Sequence, residues 1–155
     1  MVGSVGKKYS EAERAYIAGL FDCDGAIMAS IESHKEKKFG FRVRVILKVT
    51  QKNPNILRWL KSLLKVGYVT KNRTTFDWIV KDQKDCKELL ELFKMYTRGK
   101  KKQVELGLEI LNKLENKKSN KDFLEICKLV DKFKQLNYSK KRKITYETVA
   151  DYLSP

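Results

Sequence analysis

The spacing of hydrophobic and polar positions changes period several times along the chain, and each change predicts an element. Ser10 followed by Glu13 has the spacing of a capping box, so a helix is predicted to start there and run over 11–21. After Gly25, Ile27, Ala29 and Ile31 alternate with Met28, Ser30 and Glu32, the period of a strand with one covered face. Ser33 to Gly40 reads as a hairpin connection. In the return strand Phe41, Val43, Val45, Leu47 and Val49 point one way, and Arg42, Arg44, Ile46, Lys48 and Thr50 the other. Asn53-Pro54 opens a helix whose stripe is Ile56, Leu57, Leu60, Leu63 and Leu64, with Trp59 at its margin. Gly67 returns the chain to a second hairpin, 68–71 and 76–81, around the polar loop Asn72-Arg73-Thr74-Thr75. Phe76, Trp78 and Val80 are expected to face helices, and Asp77 and Ile79 to face outward beside Tyr68 and Thr70. Further helices are predicted over about 83–95 and 102–114, from a cap at Ser119 or Asn120 through Leu136, and over 146–153. Two hairpins covered by helices make a mixed α/β fold with one antiparallel sheet and one helical layer.

A chain of 155 residues is expected to form one domain at 10–137, preceded by a flexible arm at 1–9 and followed by a basic extension at 138–155 that belongs to the same domain. Lysine and arginine total 34 against 19 acidic residues, a formal charge of +15, so the preferred partner is a polyanion. An anionic membrane surface is the other electrostatic reading. Against it, the apolar runs are too short to span a bilayer and no basic-then-apolar leader opens the chain. Cys23, Cys86 and Cys127 form an odd, widely spaced set, as expected of free thiols in a reducing intracellular compartment rather than of a secreted disulfide framework. His34 is the sole histidine, which removes most zinc-hydrolase and Ser/His-triad readings.

Two stretches carry candidate chemistry. Ala15, Ala18 and Gly19 place small side chains over about one turn, so another helix can approach closely, from this chain or from a partner. The glycine costs roughly 1 kcal/mol relative to alanine, so packing is its expected purpose. The same helical run ends in Asp22, Asp24 and Gly25, where the glycine is expected to permit a turn that a Cβ resists. A carboxylate at a helix C-terminus opposes the helix dipole, so capping does not explain the pair. They are either solvated turn residues or ligands for Mg²⁺, which takes one or two carboxylates and completes its shell with water and phosphate. The second stretch is the face carrying Arg42, Arg44 and Lys48, which is too basic for a core. It is either solvated or laid in a major groove, where arginine reads guanine edges and other long side chains reach phosphate. Met28, Ser30 and Glu32 share that face, His34 stands at its end, and Tyr68, Thr70, Asn72, Asp77 and Ile79 extend it as expected DNA contacts. Lys100, in a basic stretch free of acidic residues, and the run Lys140, Lys141, Arg142 and Lys143 are candidates for backbone contact; the latter run reads equally well as solubility charge.

The segment Ile17-Ala18-Gly19-Leu20-Phe21-Asp22-Cys23-Asp24-Gly25 resembles the LAGLIDADG motif of homing endonucleases, with Ile17 for the usual leucine and Cys23 in the variable slot. Val49-Thr50-Gln51-Lys52, Gly67-Tyr68-Val69 and Lys100-Lys101-Lys102-Gln103 resemble its small single-motif branch, which is encoded by introns and works as a homodimer. The similarity covers about residues 10–137, and the chain holds one copy of the motif. The resemblance implies a two-fold dimer in which the motif helices meet through Ala15, Ala18, Gly19 and Asp22, with both Asp24 side chains near the axis. The two basic sheets then form a saddle over a long, near-palindromic DNA duplex. It also implies Asp24 as principal metal ligand, the Cys23 main-chain carbonyl as a second, Gln51 positioning water and Lys102 stabilising charge. Mg²⁺ is the implied cofactor, with Mn²⁺ as substitute, for phosphodiester hydrolysis across the minor groove that leaves staggered ends. Asn55 departs from a position where this branch often carries a longer basic residue. The same scaffold serves intron RNA maturases and non-cleaving DNA-binding proteins, the one alternative under which RNA becomes a partner. The implied compartment is a prokaryotic or archaeal cytoplasm, a chloroplast or a mitochondrion.

Overall fold

The structure, a computed structural model, describes residues 8–137 and 144–155, so most of the expected N-terminal arm lies outside the described residues. Ser10 caps the first helix, α1 (Glu11–Asp24), and the capping box is complete. Its hydroxyl accepts the Glu13 amide at 3.1 Å, and the Glu13 carboxylate accepts the Ser10 amide at 3.0 Å. The helix continues beyond the expected residue 21, through both aspartates, and passes directly into strand β1 (Gly25–Ser33).

Gly25 is therefore not a turn residue; its backbone is extended, at φ −89° and ψ 163°. Space is what demands glycine there. A Cβ would stand 2.5 Å from Phe21 Cδ1 and 2.6 Å from the Phe21 carbonyl oxygen. Phe21 cannot yield, because it is buried and its ring centroid lies 4.6 Å from that of Phe93.

Strands β1, β2 (Phe41–Gln51), β3 (Tyr68–Asn72) and β4 (Thr75–Val80) form one antiparallel sheet in the order β1-β2-β4-β3. The first hairpin runs in register from Gly25 opposite Val49 to Ser33 opposite Phe41. Helix α2 (Asn55–Leu64) joins the two hairpins and buries Leu57, Leu60 and Leu64, with Trp59 exposed at the margin as expected. The second hairpin turns more tightly than the sequence suggests. Only Arg73 and Thr74 separate its strands, because Asn72 pairs with Thr75 and the Thr75 hydroxyl donates to the Asn72 carbonyl at 3.0 Å. Arg73 takes the left-handed conformation that such a turn requires, at φ 56°.

The odd-numbered residues of β2 from Phe41 to Val49 are buried as the alternation predicts, and they meet a helical layer that includes α3 (Gln83–Lys94), α4 (Lys101–Asn116) and α5 (Asn120–Leu136). Ser119 caps α5, as expected. The short α6 (Tyr146–Leu153) packs on α5, burying Val149 and setting the Tyr152 ring edge-on to Phe41 at 5.2 Å. Among the described residues no helix is long and apolar enough to cross a membrane.

Two side chains complete the covered face in ways that periodicity does not reveal. Strand β2 outruns β4, which leaves the Val45 backbone without a strand partner on that side. Gln83 replaces the missing strand: its Oε1 accepts the Val45 amide at 2.8 Å and its Nε2 donates to the Val45 carbonyl at 2.9 Å. Phe39, in the hairpin connection, is buried and stacks on Phe123 at 4.7 Å.

Gly25→Ala is expected to destabilise the chain by about 1–3 kcal/mol, the scale of overpacking a filled core. Denaturant unfolding of the purified variant measures this, and an unchanged midpoint would show that Phe21 yields after all.

Candidate functional site

The site is built where α1, β2 and the segment before α4 converge. The C-terminus of α1 carries partial negative charge, two aspartates, and no basic residue in its own last turn. The two carboxylates are compensated differently, and that difference separates their roles.

Asp22 is held by the turn at 97–100. Its Oδ1 accepts the Thr97 hydroxyl and, at 3.2 Å, the Lys100 amide, while its Oδ2 accepts the Arg98 amide at 2.7 Å. Thr97 is one of the few buried polar residues in the structure. Burial alone would raise the Asp22 carboxyl, but the Thr97 hydroxyl and the amides of Arg98, Gly99 and Lys100 outweigh it and hold the group below its ordinary value. Lys100 then returns its ammonium to the Asp22 carbonyl oxygen at 2.7 Å, supplying the cation that the helix end lacks. Asp22 thus spends its carboxylate within its own chain rather than on a dimer seam.

Asp24, the last residue of α1, is exposed and has a single side-chain partner among the described residues. Gln51, the last residue of β2, donates its Nε2 to Asp24 Oδ2 at 2.8 Å. The β1–β2 register makes this contact inevitable, since Gly25 opposite Val49 brings the ends of α1 and β2 side by side. Cys23 is exposed next to them. Cys86 and Cys127 are buried, and burial pushes both thiols up to about 12, so they stay protonated at neutral pH. Among the described residues no three His, Cys, Asp or Glu side chains converge on a metal position. One exposed carboxylate with neighbouring carbonyls is nevertheless a hard-oxygen donor set that suits Mg²⁺, whose remaining positions go to water and phosphate.

Lys102 and Lys100 differ in what they touch. Lys102 is exposed in the first turn of α4 and makes no hydrogen bond or ion pair to these groups among the described residues. Lys100, expected only as a DNA contact, is the residue seated at the α1 terminus. Thr97 was not foreseen at all. Its one signal is a lone hydroxyl ahead of Gly99 in a basic stretch, and pattern does not show which carboxylate it meets.

The even-numbered face of the sheet is open. Successive cross-strand rows hold Glu32 with Arg42, Ser30 with Arg44, Met28 with Ile46, then Lys48 with Ile79 and Tyr68, and finally Thr50 with Asp77 and Thr70. The expected contacts therefore do share one surface, with Asn72 at its edge and His34 just beyond β1. Asp77 departs from expectation. It is buried, with Oδ1 accepting the Thr50 hydroxyl at 2.6 Å and Oδ2 accepting the Asn72 amide at 3.1 Å, so it organises neighbours instead of offering a free acceptor. Lys140, Lys141, Arg142 and Lys143 lie outside the described residues.

The motif helix presents Ala12, Ala15, Tyr16, Gly19 and Cys23 on an exposed stripe. A Cβ on Gly19 would meet nothing within 4 Å, so no packing among the described residues explains the glycine. Ala18 does not join that stripe. It is buried in its own core at 1% exposure, one helical position out of phase with Ala15 and Gly19.

Removing the Asp22 carboxylate strands the amides of residues 98 and 100, so Asp22→Ala is expected to cost about 1.5–3 kcal/mol at neutral pH. Because its folded pKa is depressed, this stabilisation is complete above the ordinary carboxylate value and is lost as pH falls through the folded one. Urea unfolding of wild type and variant should therefore converge in acid. A gap that stayed constant with pH would exclude a charge-based anchor.

Comparison with known proteins agrees with this geometry. The family profile described as LAGLIDADG endonuclease matches residues 17–110. The chain is 36% identical to DNA endonuclease I-CreI of Chlamydomonas reinhardtii over 147 residues, covering 92% of this chain and 89% of that one. It is 32% identical to DNA endonuclease I-CvuI of Chlorella vulgaris over 148 residues, covering 94% and 92%. The crystal structure of I-CvuI with the I-CreI target in the presence of Mg superposes with a TM-score of 0.86 at 33% identity, over 92% of this chain and 93% of that one. An archaeal intron-encoded endonuclease, I-Vdi141I, shares the fold at a TM-score of 0.82 and 21% identity, over 92% and 94%. A matched family profile, two relatives above 30% identity along nearly their whole length, and one shared architecture place this chain in the LAGLIDADG endonuclease family.

Proposed function

We propose that the chain is a homodimeric, divalent-metal-dependent endonuclease that cuts both strands of a long, near-palindromic DNA site, one half-site per subunit. The observation that carries this reading is the Asp24–Gln51 contact of 2.8 Å at the junction of α1 and β2, beside an open basic sheet face. An exposed carboxylate whose one side-chain partner among the described residues is an amide keeps lone pairs available for a metal ion. The related endonucleases were crystallised on DNA targets with Mg or Ca, which supports a divalent ion. Mg²⁺ is the proposed ion, with Mn²⁺ as its substitute.

The residues divide the work by chemistry. Asp24 and the Cys23 carbonyl would hold the ion. When bound, it polarises the scissile phosphate and lowers the pKa of water. Gln51 orients Asp24 and water through its amide. Lys102 is proposed to stabilise negative charge on the phosphate, and Lys100, whose ammonium donates to the Asp22 carbonyl at the end of α1, adds positive charge beside it. Asp22 keeps Lys100 in place through the 97–100 turn.

Cleavage of both strands by a chain with one motif requires two copies. The exposed stripe through Ala12, Ala15, Tyr16, Gly19 and Cys23 is the proposed seam, and Gly19 lets the partner helix approach. Tyr16 and Trp59, exposed by 53% and 39%, meet edge-on at 5.5 Å and widen the apolar margin of that seam. Residues 10–155 are proposed to act as one DNA-binding and catalytic unit, encoded by an intron in an organellar or prokaryotic genome.

Asp24→Asn should still bind the target while cutting about 100-fold or more slowly, the scale of losing a transition-state electrostatic contact. Wild type should lose cutting in EDTA. Titrated cleavage of a supercoiled target, with binding followed by gel shift, measures both, and equal cutting by the variant would remove Asp24 from the chemistry. Gly19→Leu should fold as wild type does but sediment as a monomer. A dimer that survives this change would place the seam elsewhere.

A further inference from the structure

We infer that Glu32 is a positioning residue that fixes Arg42 and Arg44 as one unit, and that the remaining fork of Arg42 reads a guanine in each half-site. This rests on the endonuclease reading above but names which side chain supplies specificity, and through what. Glu32 and Arg42 are direct cross-strand partners, and Arg44 is the diagonal neighbour. Each carboxylate oxygen takes one arginine: Arg42 Nε donates to Oε2 at 2.7 Å and Arg44 Nη2 donates to Oε1 at 2.6 Å. Burial would raise the Glu32 carboxyl, but hydrogen bonds from Arg44 and Arg42 outweigh it and hold the group below its ordinary value.

The two arginines are not equivalent within this unit. Arg42 commits only Nε and stays 38% exposed, so both of its terminal nitrogens keep their donors. Two adjacent donors on a planar group match the O6 and N7 acceptors of guanine in the major groove. Arg44 lies deeper, at 23% exposure, and has spent Nη2. Its Nε is buried without a partner among the described residues, as is the Oγ of Ser30 directly opposite. Arg44 therefore buttresses Glu32, while Glu32 removes rotamer freedom from Arg42 before DNA arrives. Each Glu32 oxygen already accepts one arginine N–H, so within this unit the carboxylate acts first on its two neighbours. Two guanidinium groups and one carboxylate also leave this end of the sheet with a single net positive charge, which favours readout over indiscriminate phosphate binding.

The test is a binding matrix. Wild type, Arg42→Ala, Glu32→Gln and the double variant are titrated against duplexes in which every half-site position is changed to each base pair, at several salt concentrations. Wild type is expected to prefer guanine at one position per half-site by about tenfold to a hundredfold. Both single variants should flatten that same position, and the double variant should flatten it no further. Glu32→Gln should also steepen the salt dependence by about one phosphate contact as Arg44 is released. Thermal unfolding of the free proteins separates these effects from misfolding, which has no means of selecting one base position. Glu32→Gln with wild-type preferences throughout, or Arg42→Ala weakening all duplexes alike, would overturn the inference. Wild type binding no duplex selectively would overturn the endonuclease reading along with it.

Discussion

Helix α1 ends in two carboxylates with no cation of its own, and much of the site follows from how that charge is balanced. The 97–100 turn supplies a hydroxyl, two amides and the Lys100 ammonium to Asp22. In doing so it ties the start of α4 to the end of α1 and leaves Lys100 at the site. Asp24 is left two residues further on, outside this cradle, with Gln51 as its one side-chain partner among the described residues. A fully compensated carboxylate is a structural anchor; a nearly uncompensated one is available to a metal ion. Identical side chains two residues apart thus acquire different roles from the donors around them.

The sheet shows a similar economy with charge. Its open face is basic in sequence, yet two of its arginines are paired to Glu32, and Asp77 is enclosed by Thr50 and Asn72. Acidic residues on a DNA-facing surface weaken phosphate attraction, and what they return is fixed geometry. Lys48, Tyr68 and Thr70 share this surface in regular rows set by the antiparallel register. The covered face makes that register rigid, because a one-residue slip of β2 would drive Arg42 and Arg44 into the core in place of Phe41 and Val43.

What covers the sheet also holds the site still. Gln83 imitates a strand against Val45, and Phe39 and Tyr152 close the far end of the first hairpin. At the near end, Phe21 fills the space that Gly25 leaves, and the contact passes to Phe93 on α3. The path from α1 into β1 is therefore packed on one side and hydrogen-bonded on the other. Asp24 sits at that junction without being part of either support.

Much of this was legible in the chain alone. Period-two alternation assigned the buried and open faces of β1 and β2, the Ser10/Glu13 spacing set the start of α1, and the motif pointed to Asp24 and Gln51, which the fold brings into contact, because each depends on residues close in sequence or on a family pattern. Other features depend on what meets across the fold. Asp22 and the 97–100 turn are far apart in the chain, so no local pattern tells an anchoring carboxylate from a metal ligand, or Lys100 from Lys102. Ala18 looked like its neighbours Ala15 and Gly19, but a helix turns 100° per residue, and only the position of the sheet decided which of the three it would bury. Gly25 was recognised as necessary for the wrong reason, since steric contact with Phe21, not backbone conformation, excludes a side chain. The sequence by itself determined the elements, their faces and the family, because these follow from periodicity and motif. Tertiary structure alone decided which charges are satisfied, because that depends on donors brought from elsewhere in the chain.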